Sequence, residues 1–336
     1  MRREGYSLYK GYTISEVAKL ANVSIATVSR VLNQSGPVKQ STQNNILSVI
    51  KQLEEEKAPS YLTRSAENNS KVILASFPEL RNPFYGNIFK GISETARAHK
   101  YNVLYYQMEN YAFEESYSFL AESKNYAGLI IAHAVPSSDI LKQLSSEMPV
   151  VMCAEHNDSD ILPYVSIDDF NASYSAINYL LGINRRRISL LNSSLRNNYA
   201  CQRERAFRSC LADHGIEVNE SWVAHVPEIN YDLALGVATS ILKQENRPDA
   251  FFCISDVFAA AAINAAKSLG LSVPKDVSVI GFDNIDISTM TMPTITTVSQ
   301  PTYQIGAQAC SLLIEQIEYP STEPRHIMLN TELILR

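Results

Sequence analysis

The chain is short of several things that would mark other classes of protein. No apolar run approaches the roughly 20 residues needed to span a bilayer. The charged, tyrosine-bearing stretch Met1 to Lys10 is followed by no apolar segment of the kind a secretory signal needs, so a cytoplasmic protein is expected. Its five cysteines, Cys153, Cys201, Cys210, Cys253 and Cys310, are odd in number, scattered and free of CxxC spacing. That excludes a disulfide framework and points to reduced, mostly buried thiols. No cluster of histidines and cysteines has metal-ligand spacing. GxGxxG, GxxxxGK[ST], GxSxG and HExxH are all missing, so no cofactor is expected and the commonest enzyme signatures are absent.

What remains is an ordinary globular balance, 46% hydrophobic and 19% charged, over 336 residues. That length suggests about two or three folding units. The charge is unevenly placed. Up to Arg64 there are nine basic residues against five acidic ones, a local +4 within a chain whose net charge is −6. A small basic head on an acidic body suits a local phosphate-binding module rather than a chain that coats nucleic acid throughout.

The head carries its own punctuation. Thr13-Ile14-Ser15-Glu16 is a capping box, in which the Thr13 hydroxyl accepts from the N3 amide and Glu16 reaches back. Val17, Leu20 and Ala21 then give a short helix one apolar face. Asn22, tolerant of the left-handed conformation, can end it. Ser24 caps a second helix with Val28, Val31 and Leu32 as its inner stripe. A third is expected from about Ser41 to Glu54, with Ile46, Val49, Ile50 and Leu53 inward. Helix, tight turn, helix on a basic surface makes a helix-turn-helix domain. Ile25, Ala26, Ser29 and Arg30 lie off the stripe, where a second helix enters the major groove, and Arg30 could bond a guanine edge in bidentate fashion. The alternative for the same residues is a small helical bundle with a solvated Arg30.

From Lys71 the pattern changes to strands alternating with helices: Val72–Ala75, a helix from about Phe84 to His99, Val103–Tyr106, a helix near Phe113 to Lys124, Gly128–Ile131, then Ile188–Leu191, Phe251–Ile254 and Val277–Ile280. Such alternation predicts parallel sheets covered on both faces. Ligands in open parallel sheets bind beyond the carboxyl ends of strands. That rule selects Phe84 and Tyr85 as a stacking surface and Asp256 and Asp283 as polar contacts; Asp168 is a further candidate outside the rule. The competing roles are helix-start packing for Phe84 and Tyr85, helix N-caps for Asp256 and Asp283, and turn closure for Asp168.

The run from Thr13 to Asn33, TISEVAKLANVSIATVSRVLN, resembles the LacI/GalR family of bacterial transcription regulators. So do Asn82-Pro83-Phe84-Tyr85, the block from Val273 to Asn284 (VPKDVSVIGFDN) and Thr296 to Pro301 (TTVSQP). The core further resembles the cytidine-repressor branch at Gly281 to Asp286 and at Tyr303 to Gly306. The resemblance implies a helix-turn-helix head on residues 1–57, a hinge on 58–70, and a periplasmic-binding-protein-like core of two doubly wound parallel-sheet subdomains on 71–336. The N-subdomain would take about 71–168 and 300–328, the C-subdomain about 169–299 and 329–336, with crossings near Tyr164 to Asp168, Thr296 to Gln300 and Met328 to Thr331. It implies a homodimer reading double-stranded, near-palindromic operator DNA. Ile25, Ala26 and Arg30 would read bases, while Thr13, Ser24, Thr27, Ser29 and Asn33 would hold phosphates. Arg203 matches an effector-clamping arginine and Asp283 a position that contacts effector hydroxyls. The small polar effector would be a sugar or a nucleoside. Binding between the subdomains would shift the spacing of the heads.

The hinge departs from the family. Its minor-groove wedge position falls on Ala66, which is too small to unstack a base step, so either operator bending is shallower or Leu62 takes the wedge role in a shifted register. The chain ends at Arg336 without a heptad tail, and a dimer rather than a tetramer is expected. A solute-binding protein of the same core fold is the rival reading, but it would need an export signal and would have no use for the head.

Overall fold

The computed structural model describes residues 8–9, 12–33, 35–57, 71–78, 81–108, 126–133, 138–156, 162–319 and 324–336. Leu62, Ala66 and the expected helix near residues 113–124 lie outside the described residues. The chain divides into two compact units, Met1–Ser70 and Lys71–Arg336.

In the first unit a two-stranded antiparallel ribbon, β1 (Leu8–Tyr9) and β2 (Tyr12–Thr13), leads into α1 (Ile14–Leu20). The capping box forms in full: Thr13 Oγ1 accepts from the Glu16 amide at 3.2 Å, and Glu16 Oε2 accepts from the Thr13 amide at 2.8 Å. Asn22 takes φ 53° and turns the chain towards α2 (Ile25–Leu32). Ser24 caps that helix by accepting from the Thr27 amide at 3.2 Å. Helix α3 runs from Gln40 to Lys57, longer at both ends than the expected span. Val17, Ala18, Ala21, Val28, Ile46, Ile50 and Leu53 form the small core, and Asn45 Nδ2 ties α3 to the carbonyl of Ala21 at 2.9 Å. Leu20, expected on the inner face, is 58% exposed. At 100° per residue Ala18, not Leu20, completes the buried stripe with Val17 and Ala21.

The second unit holds two six-stranded sheets. One is built from β3 (Val72–Phe77), β4 (Asn102–Gln107), β5 (Gly128–Ile131), β6 (Val150–Cys153), β7 (Tyr164–Ile167) and β13 (His326–Leu329), in the order β13-β7-β6-β5-β3-β4, every pair parallel. The other contains β8 (Ile188–Ser193), β9 (Val223–Val226), β10 (Ala250–Cys253), β11 (Ser278–Asp283), β12 (Thr296–Ser299) and β14 (Glu332–Ile334), in the order β14-β12-β11-β10-β8-β9. It is parallel except where β14 runs against β12. The interior strands are buried along most of their length, with half-buried residues only at the start of β3 and at the two ends of β12, as expected for parallel strands covered on both faces. The chain passes between the sheets three times: after β7, after β12 and between β13 and β14.

The covering helices are α4 (Phe84–Ala98), α5 (Ser138–Glu147), α6 (Asp169–Gly182), α7 (Asn198–Asp213), α8 (Tyr231–Leu242), α9 (Asp256–Ser268), the short α10 (Ile287–Met290) and α11 (Thr302–Glu318). Helices α4 and α11 meet through two glycines. A Cβ on Gly306 would lie 2.0 Å from the Ile88 carbonyl oxygen, and one on Gly91 would lie 2.2 Å from that of Tyr303. Only glycine admits so close a backbone crossing. All five cysteines are free thiols, and only Cys201 is exposed.

The strand order reverses once in each sheet. In the first sheet, β4 and β5 flank β3, so the connections leave β3 and β5 in opposite directions; β9 and β10 flank β8 in the second sheet in the same way. A crevice opens at the carboxyl ends of strands at such points.

Candidate functional site

The head presents a polar face on α2. Val28 is fully buried, whereas Ser24, Ile25, Ala26, Arg30 and Asn33 are exposed and Thr27 and Ser29 are half-buried. Ile25 keeps 55% of its surface in water. Ser24 Oγ and Thr27 Oγ1 pair at 2.8 Å, and Asn33 Nδ2 donates to Ser29 Oγ at 3.2 Å. Thr13 stands at the start of α1, half-buried within its capping box. The exposed isoleucine is informative, because an apolar side chain facing water beside an arginine gains from packing against a base edge or a thymine methyl.

In the core, a cavity that opens to solvent lies at the carboxyl ends of strands from both sheets. The first sheet contributes Asn82, Phe84 and Tyr85 after β3, Ala132 after β5, and Ala154 and Glu155 after β6. The second contributes Tyr199 and Arg203 from α7, Ile229 after β9, Ile254 and Ser255 after β10, and Asp283 at the end of β11. Gln300, on the pass that leaves β12, completes it.

Arg203 organises the polar side. Its guanidinium is buried, donating from Nε to Asp169 Oδ1 at 2.8 Å and from Nη1 to the Ile254 carbonyl at 2.6 Å. Nη2 stands 2.7 Å from the same Asp169 oxygen, and Nη1 stands 3.9 Å from Asp283 Oδ1. The guanidinium carbon lies 3.5 Å from the centroid of the Phe282 ring and 5.0 Å from that of Tyr199. A planar cation gripped by a carboxylate, a carbonyl and two ring faces has little rotational freedom left, so it offers its remaining N–H groups in a fixed direction.

Asp283 ends β11 at φ 106°, and Asn284 follows at φ 55°. Two successive non-glycine residues with positive φ store strain of about 1–3 kcal/mol each. The bend holds the Asp283 carboxyl against the cavity, where Gln300 Nε2 donates to Oδ1 at 2.7 Å. Burial pushes this carboxyl well above its ordinary range, against the pull of Arg203 and the Gln300 hydrogen bond. Burial likewise raises Asp169, with Arg203 pulling it back.

Of the residues expected to bind a guest, Phe84, Tyr85, Arg203 and Asp283 line this one cavity; Asp168 and Asp256 do not. Asp168 is exposed and caps α6, its oxygens accepting from the Asn171 amide at 2.9 Å and from Asn171 Nδ2 at 2.6 Å. Its neighbour Asp169 is the residue that turns inward to Arg203. An N-cap side chain folds back on the helix end, whereas the next residue is free to face the core. Asp256 is fully buried behind the cavity. Its Oδ1 accepts from Thr297 Oγ1 at 2.6 Å and its Oδ2 from the Ile285 amide at 2.9 Å. Burial pushes it up to about 7, and its bonds hold the turn that carries Asp283 and Asn284. The cap of α9 is Ser255, which does line the cavity.

Sequence reasoning missed Glu155, Asp169, Tyr199 and Gln300. Glu155 could have been found, since it follows the apolar run Val150-Val151-Met152-Cys153 at a strand's carboxyl end. Among the described residues, no group of three or more His, Cys, Asp and Glu side chains could hold a metal ion, and no helix is long and apolar enough to cross a membrane.

Comparison with known proteins covers both units. Residues 13–54 match the family model for bacterial regulatory proteins of the lacI family, and residues 70–336 match that for periplasmic binding proteins and the sugar binding domain of the LacI family. The chain is 32% identical over 327 residues to the HTH-type transcriptional repressor CytR of Escherichia coli, covering 96% of this chain and 95% of that one. It is 29% identical over 328 residues to the HTH-type transcriptional repressor PurR of Photobacterium profundum, covering 96% and 97%. Among solved structures, a complex of the transcriptional regulator CelR with cellobiose superposes with a TM-score of 0.73 at 26% identity, covering 97% of this chain and 99% of that one.

Proposed function

Because this chain belongs to the LacI family of bacterial regulatory proteins, we propose that it is a repressor that binds a near-palindromic operator as a homodimer and answers to an uncharged sugar or nucleoside held in the core cavity. Its class follows from membership: it is a DNA-binding transcriptional regulator with a helix-turn-helix head and a sugar-binding-type core, not an enzyme. The match of residues 13–54 to the regulatory head removes the rival reading as a transport module.

In this reading Ile25, Ala26 and Arg30 contact base edges, while Thr13, Ser24, Thr27, Ser29 and Asn33 hold the phosphate backbone. Arg203 and Asp283 fix the polar groups of the guest, and Phe84 and Tyr85 pack against its ring. The core divides at the three chain passes into lobes of about 71–168 with 300–328 and 169–299 with 329–336. Closure of the lobes on the guest alters the spacing of two heads in a dimer, and the operator, the site of action, places the protein in the cytoplasm.

The observation that carries the reading is that one chain joins an exposed α2 face, backed by a buried Val28, to a cavity in which one fixed guanidinium faces two carboxyls at the strand ends of two sheets. The relative CelR, solved with cellobiose, supports a guest of that general class. The test is selection of duplexes by the full chain from a random-sequence pool. Enrichment of two half-sites related by a dyad is expected; enrichment of single half-sites, or none, overturns the dimeric operator.

A further inference from the structure

Among the described residues, Glu155 is the one acid lining the cavity that the geometry of Arg203 and Asp283 does not use. It sits just past β6, is 5% exposed, and its Oε1 is fully buried without a hydrogen-bond partner. Backbone amides of Asn198 and Tyr199 stabilise its charge. Since Oε1 takes no hydrogen bond, those amides serve the other oxygen, and Oε1 is left without a partner on a residue that lines the cavity.

We propose that Glu155 is a specificity-determining residue that meets the guest as a protonated carboxyl, donating its O–H from Oε1 to an acceptor atom such as a carbonyl oxygen or ring nitrogen. Guest binding is thereby linked to pH. The inference rests on the reading of this cavity as the effector site.

The charged groups around Glu155 support a neutral carboxyl. From α6 comes Asp169, whose like charge opposes ionisation, and from α7 comes Arg203, which favours it. Arg203 is already committed to Asp169 at 2.7 Å and to the Ile254 carbonyl at 2.6 Å. Asp283, at the end of β11, makes a third acid in reach of that one cation. Among the described residues, the remaining titratable neighbours are the phenols of Tyr85 on α4 and Tyr199 on α7, and on its own segment Cys153 and His156. The Tyr85 and Cys153 groups are pushed above their ordinary values by burial and Tyr199 up to about 12, so none of the three adds a positive charge. Three buried carboxyls against one guanidinium leave two negative charges uncompensated, and a buried uncompensated carboxyl takes up a proton instead; burial raises Asp283 as well as Glu155. Burial first, then Asp169, pushes Glu155 up to about 8. The same surplus of acid disfavours a phosphorylated guest.

A guest that binds only the protonated form has full affinity below about pH 8, and affinity falls by about tenfold for each pH unit above it. The experiment is calorimetric titration of the full chain with uridine, cytidine, adenosine, ribose and cellobiose, and with uridine 5′-monophosphate as the anionic probe, at pH about 7 and about 9. The expected result is that the probes that bind at pH about 7 are neutral and bind about tenfold more weakly at pH about 9. Glu155→Gln, whose amide still donates, should bind with a flatter pH profile than the unsubstituted chain, and Glu155→Ala should bind weakly at both values. A purely structural role for Glu155 would not move the pH profile. Titration of the unsubstituted chain at pH about 8.5 in buffers of different ionisation enthalpy gives a second reading that needs no variant: guest binding should take up a substantial fraction of a proton. A flat profile in the unsubstituted chain, affinity that rises with pH, a retained slope in Glu155→Gln, or no proton uptake each overturns the proposal. A probe that binds with no pH dependence sinks the role of Glu155 alone. If no probe binds at either pH, the reading of the cavity as a receptor for small neutral guests fails, and this proposal fails with it.

Discussion

Arg203→Ala should destabilise the core by about 3–5 kcal/mol, the cost of removing one partner from a buried ion pair. The structure supplies the reasons. Arg203 and Asp169 are both buried, at 2.7 Å. The substitution leaves the Asp169 carboxyl without its guanidinium partner, strands the Ile254 carbonyl that Nη1 satisfies at 2.6 Å, and uncovers the face of Phe282. The assay is urea unfolding followed by tryptophan fluorescence. Trp222 is the only tryptophan in the chain, and it is buried in the second lobe with Nε1 donating to Gln244 Oε1 at 3.1 Å, so its signal reports that lobe alone. The pH dependence carries a sign. Asp169 without its cation has a folded-state pKa raised further above the unfolded value. Its contribution is most favourable below the unfolded pKa and is lost as pH rises through the folded one. The deficit of the variant should therefore shrink as the pH is lowered from about 8 to about 5. Replacing the pair together, Arg203→Met with Asp169→Leu, should recover most of the loss, because an apolar pair of similar volume is often neutral in place of a buried ion pair. A loss below about 1 kcal/mol for Arg203→Ala, or a deficit that grows with acid, would refute this reasoning.

Other substitutions probe the remaining parts. Arg30→Ala should cost about 1–3 kcal/mol of specific DNA binding and relax one base position, as read by a gel shift on the selected duplex and its single-base variants; equal weakening on all sequences would make Arg30 a phosphate contact. Asp283→Ala should abolish the thermal shift given by any guest that stabilises the unsubstituted chain, and an unchanged shift would place the guest elsewhere. Gly306→Ala should destabilise the first lobe by about 1–3 kcal/mol, because a methyl 2.0 Å from the Ile88 carbonyl oxygen forces α4 and α11 apart; amide hydrogen exchange on the two helices would show no change if the contact were slack.

Much of the molecule is legible in its sequence where local chemistry decides. The capping box at Thr13 and Glu16, the Asn22 turn and the Ser24 cap depend on residues three or four apart, and all three form as expected. The carboxyl-end rule brought Phe84, Tyr85 and Asp283 to one cavity from positions far apart in sequence. What escaped was decided by direction and by tertiary partners. Asp168 and Asp169 are indistinguishable in sequence, yet one folds back as a cap and the other faces Arg203, 34 residues away. Asp256 obeys the carboxyl-end rule but is turned behind the cavity by Thr297, 41 residues on. Glu155 obeys the carboxyl-end rule in position but carries no motif that announces its chemistry. Its character comes from burial next to a cation that is already engaged, which only the folded chain reveals.

The most direct test of a coupled operator and effector site is the dissociation constant of the full chain for its selected duplex, measured by fluorescence anisotropy with and without a saturating cavity guest. Coupling between two real sites is worth about 1–3 kcal/mol, so the constant should change by at least about fivefold, in either direction. The same constant with and without a guest that calorimetry shows to be bound would contradict it.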